Sequence, residues 1–180
     1  MNDRVPIALR CSAVVFRDDA VLLCERRDAK GTWVLPGGTP LPGEGSAACA
    51  RREVLEETGL RIDTDRIAFV LEATSPDRSQ HLIEIVFLGS DCDRLAVPER
   101  REERLSPEFV ALSALASLDL RPPIGGYLRG LAGTRSRSLG ALPGTGAYLG
   151  NVWRPSGFPT HYAAPPAEDG AAPHGTQRNE

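Results

Sequence analysis

Three glutamates crowd the end of one short stretch, Arg51 to Gly59, which reads RREVLEETG. On a helix, at about 100° per residue, Glu53 and Glu57 sit one turn apart and Glu56 lies beside them. Like charges at these spacings repel, each pair by about 0.2–0.5 kcal/mol, and the negative end of the helix dipole adds a similar penalty. Arg52 relieves part of this, since it reaches Glu56 at i,i+4 in the less favourable order. A solvated charged face is the ordinary fate of such residues, but it does not explain why they gather at the unfavourable end. A bound divalent cation does. Three carboxylates without histidine or cysteine are hard oxygen donors, which select Mg²⁺ or Mn²⁺ over zinc.

The elements that must position these carboxylates can be read on either side. A helix is expected from about Ser46 to Thr58, with Ser46 capping its start and Gly59 taking the left-handed position past its end. Ala47, Ala50, Val54 and Thr58 follow the spacing of one apolar face. Before it, CSAVVFRDDAVLLCERR is two apolar runs around Arg17-Asp18-Asp19, a hairpin signal, and WVLPGG is a strand entering a loop. After it, RIAFVLEAT and HLIEIVFLG read as two strands. The second is apolar on both faces except for Glu84, which places it centrally in a covered sheet. The polar run DCDRLAVPERREERLSPEF is expected to be a loop over one sheet end. A second helix starts near Pro123, with Ile124, Tyr127, Leu128 and Leu131 as its buried stripe.

From Gly38 to Leu60 the chain reads GTPLPGEGSAACARREVLEETGL. Its Gly38, Glu44, Arg52, Glu53, Glu56, Glu57 and Gly59 stand at the fixed positions of the Nudix hydrolase signature, which this segment resembles throughout. The strand pattern and the WVLPGG lead-in extend the resemblance over residues 8–131. It implies an α/β fold, a Nudix-type α/β/α sandwich with a mixed sheet, whose signature binds divalent metal on the diphosphate of a nucleoside diphosphate derivative. Water then attacks phosphorus and the P–O–P bridge breaks. Glu56 and Glu57 are thereby expected to ligate the metal, and Glu53 to be a ligand, the base for the attacking water, or both in turn. Arg52 is expected to hold Glu53 or Glu56 through a forked hydrogen bond. Glu44 is assigned structural or outer-layer work. Gly37 and Gly38 leave room for close approach, and the resemblance lets the Gly37 carbonyl touch a metal. Gly59 is given a conformational role only.

In this family a further carboxylate outside the signature often acts as base or ligand. Glu99, Glu102 and Glu103 in the polar run are the candidates here, and Glu84 is expected instead to pair with an arginine. Trp33 is read as a core residue beside its strand rather than a stacking platform for a base. Pro76, sixteen residues after Leu60, is similar to a proline in the ADP-ribose pyrophosphatase branch, while GTWVLPGG resembles the MutT-type branch acting on nucleoside triphosphates. ADP-ribose-like compounds are placed slightly ahead of (d)NTPs. The rival class is a non-catalytic Nudix-fold sensor or partner-binding module, which loss of a signature carboxylate would indicate; none is lost.

Composition excludes other classes. The net charge of −3 advertises no basic surface for nucleic acid. No run is long and apolar enough for a membrane span, and no signal peptide is read. Cys11, Cys24, Cys49 and Cys92 have no paired spacing and are expected to be small buried hydrophobes in a reducing cytoplasm. The partner implied is a small-molecule nucleotide; an oligomer is left open. Residues 1–131 are expected to form the domain. Residues 132–180 are expected to form a flexible tail rich in glycine, proline and alanine, with a candidate docking segment at 148–162 that holds Tyr148, Trp153, Phe158 and Tyr162.

Overall fold

The structure, a computed structural model, describes residues 6–93, 96–99, 101–135 and 147–153. Strands β1 (Ile7–Arg17) and β2 (Ala20–Arg26) form the expected hairpin, turning at Asp18 with φ 51°. They pair at only two positions, Phe16 with Val21 and Arg17 with Ala20. Beyond these β1 leaves its partner, and this parting makes room for the site. The rest of β1 pairs parallel with β6 (His81–Asp91) and antiparallel with the two-residue β4 (Gly37–Gly38). Meanwhile β2 pairs with β3 (Thr32–Val34) and β7 (Leu105–Ala111). Strand β5 (Ile62–Thr74) runs antiparallel to β6, β8 (Asp119–Leu120) parallel to β3, and β9 (Ala147–Asn151) parallel to β5. The path reads β8-β3-β2-β1-β6-β5-β9, so β6 is central, as its apolar faces require.

Alternation along β1 separates the two faces of this mixed sheet. Val14 and Phe16 join Val86, Phe69, Leu71, Ile124 and Leu128 in the core that backs helix α2 (Gly125–Arg135). Cys11, Ala13 and Val15 face the other way, toward Cys49, Ala50 and Val54 of helix α1 (Ser46–Thr58). The result is an α/β/α sandwich. Trp33 packs half-buried against the α2-side core, in line with its reading as a core residue.

Four local expectations are corrected. Ser46 does not cap α1: the N-cap is Gly45, in extended conformation, with no side-chain cap hydrogen bond. Glycine serves there at a cost of only a few tenths of a kcal/mol relative to a polar cap. The polar run is not all loop, since Leu105–Phe109 belongs to β7. Pro107 hides that strand in the sequence, yet β7 pairs only with β2 among the described residues, and an edge strand tolerates proline. Cys92 is exposed, lying just past β6 where the chain leaves the sheet; the other three cysteines are buried and free. Finally, Pro123 starts no helical turn of α2, which begins at Gly125.

Arg17 anchors the described part of the polar run at Asp91 and Ala96. Its guanidinium pairs with Asp91, donates to the Ala96 carbonyl at 2.7 Å and lies over the Phe109 ring at 4.2 Å. At the C-terminal side, β9 carries Tyr148, and Asn151 accepts hydrogen bonds from the Thr74 and Trp153 amides. Phe158 and Tyr162 lie outside the described residues.

Two outcomes test these placements. Leu128, fully buried, should cost about 2–5 kcal/mol on Leu128→Ala in urea unfolding. In the β5–β6 turn, Ser75 and Ser79 hydrogen-bond Asp77 and lower its carboxyl from 3.8 to about 2. A depressed folded value means stabilisation present above the ordinary value and lost as pH falls through the folded one. Asp77→Asn should therefore melt below the wild type at pH 6, with the gap closing between pH 4 and 2.

Candidate functional site

Helix α1 does not leave its three glutamates together on a solvated face. Its buried residues are Cys49, Ala50, Val54, Glu57 and Thr58. Glu57 stands at i+7 from Ala50 and i+3 from Val54, a stripe position that ordinarily holds an apolar side chain. It is only 5% exposed. There its Oε2 accepts a hydrogen bond from the Gly37 amide at 2.9 Å. Burial, first of all, pushes its carboxyl up to about 7; the charges of Glu53 and Glu102 push the same way, and Arg10 and the Gly37 amide oppose them. Glu53, one turn earlier, lies against Gly38, where an added Cβ would collide with its carboxylate. A Cβ at Gly37 would strike Ser12 and the Cys11 carbonyl, because β4 lies flat on β1 at those two residues. Glycine is required at both positions for this approach. Gly59 adopts the left-handed conformation (φ 74°) and its amide closes α1 on the Leu55 carbonyl.

Arg52 organises the outer carboxylates. Nε and Nη2 make a two-pronged contact with Glu44, at 2.8 and 2.9 Å. Nη1 donates to both Glu53 (2.8 Å) and Glu56 (2.9 Å). The fork thus falls on Glu44, while Glu53 and Glu56 share one nitrogen. Glu44 also accepts the Leu41 amide, and these contacts hold its carboxyl down at about 2, the Arg52 hydrogen bonds being the largest cause. Glu56 is the most exposed of the three helix glutamates.

The polar-run candidates separate. Glu102 is exposed, but its charge is felt at Glu57. The Glu99 amide donates to the Thr58 carbonyl at 2.8 Å, and its side chain lies beside Gly59 and Arg101. Nothing among the described contacts ties Glu103 to α1. Glu84 is buried and paired with Arg10 at 3.3 Å, and Ser12 donates to it at 2.7 Å. The arginine partner expected for Glu84 is Arg10, and Ser12 is a second partner that no expectation covered. Arg10 interrupts IALRCSAVV as Glu84 interrupts HLIEIVFLG, and that shared oddity on adjacent strands was the available signal.

The residues present fit a divalent cation in charge and chemistry. Arg52 brings one positive charge to three carboxylates, which leaves two negative charges beside a fourth, buried carboxyl. In this arrangement, no three His, Cys, Asp or Glu side chains among the described residues are grouped so that they could hold a metal ion as they stand. Arg52 holds Glu53 and Glu56, while Glu57 is held by a backbone amide.

Known proteins resemble this chain in family and fold. The NUDIX domain family matches residues 7–130, and the chain belongs to the Nudix hydrolase family. A MutT-like protein of Streptomyces ambofaciens is 36% identical over 104 residues, which is 58% of this chain and 60% of that one. An ADP-ribose pyrophosphatase of Methanocaldococcus jannaschii is 32% identical over 83 residues, 45% of this chain and 49% of that one. The chain thus spans between about half and three-fifths of the length of these two relatives. A solved NUDIX hydrolase of Nitrosomonas europaea shares the fold with a TM-score of 0.61 at 22% identity, over 71% of this chain and 90% of that one. No helix among the described residues is long and apolar enough to cross a membrane.

The close approach of Gly38 to Glu53 gives a direct test. Gly38→Ala should displace the Glu53 carboxylate and weaken Mn²⁺ binding, followed by electron paramagnetic resonance, by about 10- to 100-fold. Gly45→Ala, where an added Cβ meets nothing within 4 Å, should leave it unchanged.

Proposed function

We propose that this chain hydrolyses the diphosphate linkage of a nucleoside diphosphate derivative with Mg²⁺, Mn²⁺ serving in its place. The observation that carries the reading is the convergence of Glu53 and Glu57 on Gly37-Gly38, within an arginine–carboxylate cluster that retains excess negative charge. Glu57, Glu56 and Glu53 would hold the cation. When bound, it lowers the pKa of water and offsets charge on the leaving phosphate.

The chain's own residues supply the rest. Arg52 fixes the rotamer of Glu53 through Oε1. The other oxygen, Oε2, has no hydrogen-bond partner among the described residues and would accept the proton of an attacking water. The water oxygen bonds to one phosphorus as the bridging P–O bond breaks, and the electron pair leaves with the second phosphate. Glu102, on the Glu57 side, is the extra carboxylate favoured by its electrostatic reach. Glu44 steadies Arg52 and is not assigned to the chemistry.

For the substrate, ADP-ribose-like compounds are preferred to (d)NTPs. Pro76, exposed in the β5–β6 turn, and the Methanocaldococcus relative support the first, and the MutT-like relative supports the second. The rival reading, a nucleotide sensor on the same scaffold, draws on Arg52 engaging Glu53 and Glu56.

A panel of nucleotide sugars, dinucleotides and (d)NTPs, incubated with Mg²⁺ and read by mass, should reveal turnover. Glu53→Gln should lower kcat by about 10²–10⁴-fold without loss of fold. Binding without turnover across the panel, together with unchanged metal affinity in Glu57→Gln, would establish the sensor instead.

A further inference from the structure

Arg10 and Glu84 stand opposite each other in register on β1 and β6. Glu84 is 2% exposed, and Oε1 receives both the Ser12 hydroxyl at 2.7 Å and Arg10 Nε at 3.3 Å. Arg10 Nη2 donates to the Leu35 carbonyl at 3.0 Å, two residues before Gly37. The guanidinium is thereby fixed on two sides. Its third nitrogen, Nη1, has no hydrogen-bond partner among the described residues, and the side chain is 29% exposed. A buried ion pair is weak evidence for stability, because apolar residues of similar volume often do as well. This pair therefore asks for another use.

Its position supplies one. Ser12, which holds Glu84, is also the residue on which Gly37 lies, and Gly37 is what binds Glu57. Arg10 is anchored on the Leu35 carbonyl, two residues before the Gly37 whose amide holds Glu57, while Arg52 is committed to Glu44, Glu53 and Glu56. The α1 carboxylates thus have one cation on the outer side, fully engaged, and a second on the Gly37 side with donor capacity left. A planar guanidinium held at two nitrogens is suited to a phosphoryl oxygen.

We propose that Arg10 binds an oxygen of the substrate's diphosphate group through Nη1, with Glu84 and the Leu35 carbonyl fixing its plane. This rests on the hydrolase reading above and adds to it a binding residue outside the signature.

The test compares wild type with Arg10→Lys and with the double variant Arg10→Gln/Glu84→Gln, which leaves no buried carboxylate unpaired. Three quantities are read: Mn²⁺ affinity, binding of inorganic pyrophosphate with Mn²⁺ present, and kcat/KM on a compound the panel turns over. Arg10→Lys, which keeps the positive charge, should keep the wild-type Mn²⁺ affinity, and both variants should lose pyrophosphate affinity and kcat/KM by about 10- to 100-fold. Millimolar methylguanidinium should restore part of the activity of the double variant, and methylammonium should not. A merely structural role predicts no such rescue. If a folded variant binds pyrophosphate and turns over as wild type does, or if the rescue fails, Arg10 is not a substrate contact and the hydrolase reading stands. Should the double variant fail to fold, Arg10→Lys decides alone: unchanged kcat/KM overturns the proposal. If wild type neither binds pyrophosphate nor acts on any compound, the hydrolase reading fails and this inference with it.

Discussion

Glu57 occupies a place on α1 where an apolar side chain belongs, and most of what is distinctive in this structure follows from putting a carboxyl there. Burial penalises its charged form. Against that stand a backbone donor, the Gly37 amide, and the field of Arg10. For that amide to reach Glu57, Gly37 and Gly38 must lie flat on Cys11 and Ser12 without side chains of their own. For β4 to lie there, β1 must have left β2 after two residue pairs. The curl of the sheet and the two glycines are thus parts of one arrangement around one buried carboxyl.

Two arginines divide the charge around it. Arg52 sits among Glu44, Glu53 and Glu56 on the more exposed flank, and its fork on Glu44 makes that residue a brace for the guanidinium. Arg10 approaches from the sheet, braced in turn by Glu84 and Leu35. One arginine comes from the helix and the other from the strand, so the flanking charges are fixed by different elements. Rearrangement of the helix side chains need not disturb the strand side.

Much of this was legible in the order of residues. The length of α1 and its glycine stop follow from local signals, since a left-handed C-cap is a property of a few neighbouring residues. The central place of β6 follows from its apolar faces, and a partner for Glu84 from the cost of burying a lone charge. Less was legible where a distant strand decided the outcome. Leu105–Phe109 carries proline and charge, and becomes β7 because β2 offers it an edge. Cys92 is exposed because β6 stops one residue before it. Gly45 rather than Ser46 caps α1, and the neighbouring Glu44 carboxylate is instead turned to Arg52 and the Leu41 amide.

By itself the sequence determined the chemistry available: which carboxylates exist, on which helix, with which glycines and which arginine nearby. Those are matters of residue type and short spacing, and the helix period translates them into geometry. It could not separate Glu57 from Glu53 and Glu56, because burial depends on what the far side of the helix meets. Nor could it join Arg10 to Glu84 or bring Ser12 under Gly37, residues that lie 74 and 25 positions apart. Only the pairing of β1 with β6 and β4 brings them together, since strand register, not sequence distance, sets which side chains share a face.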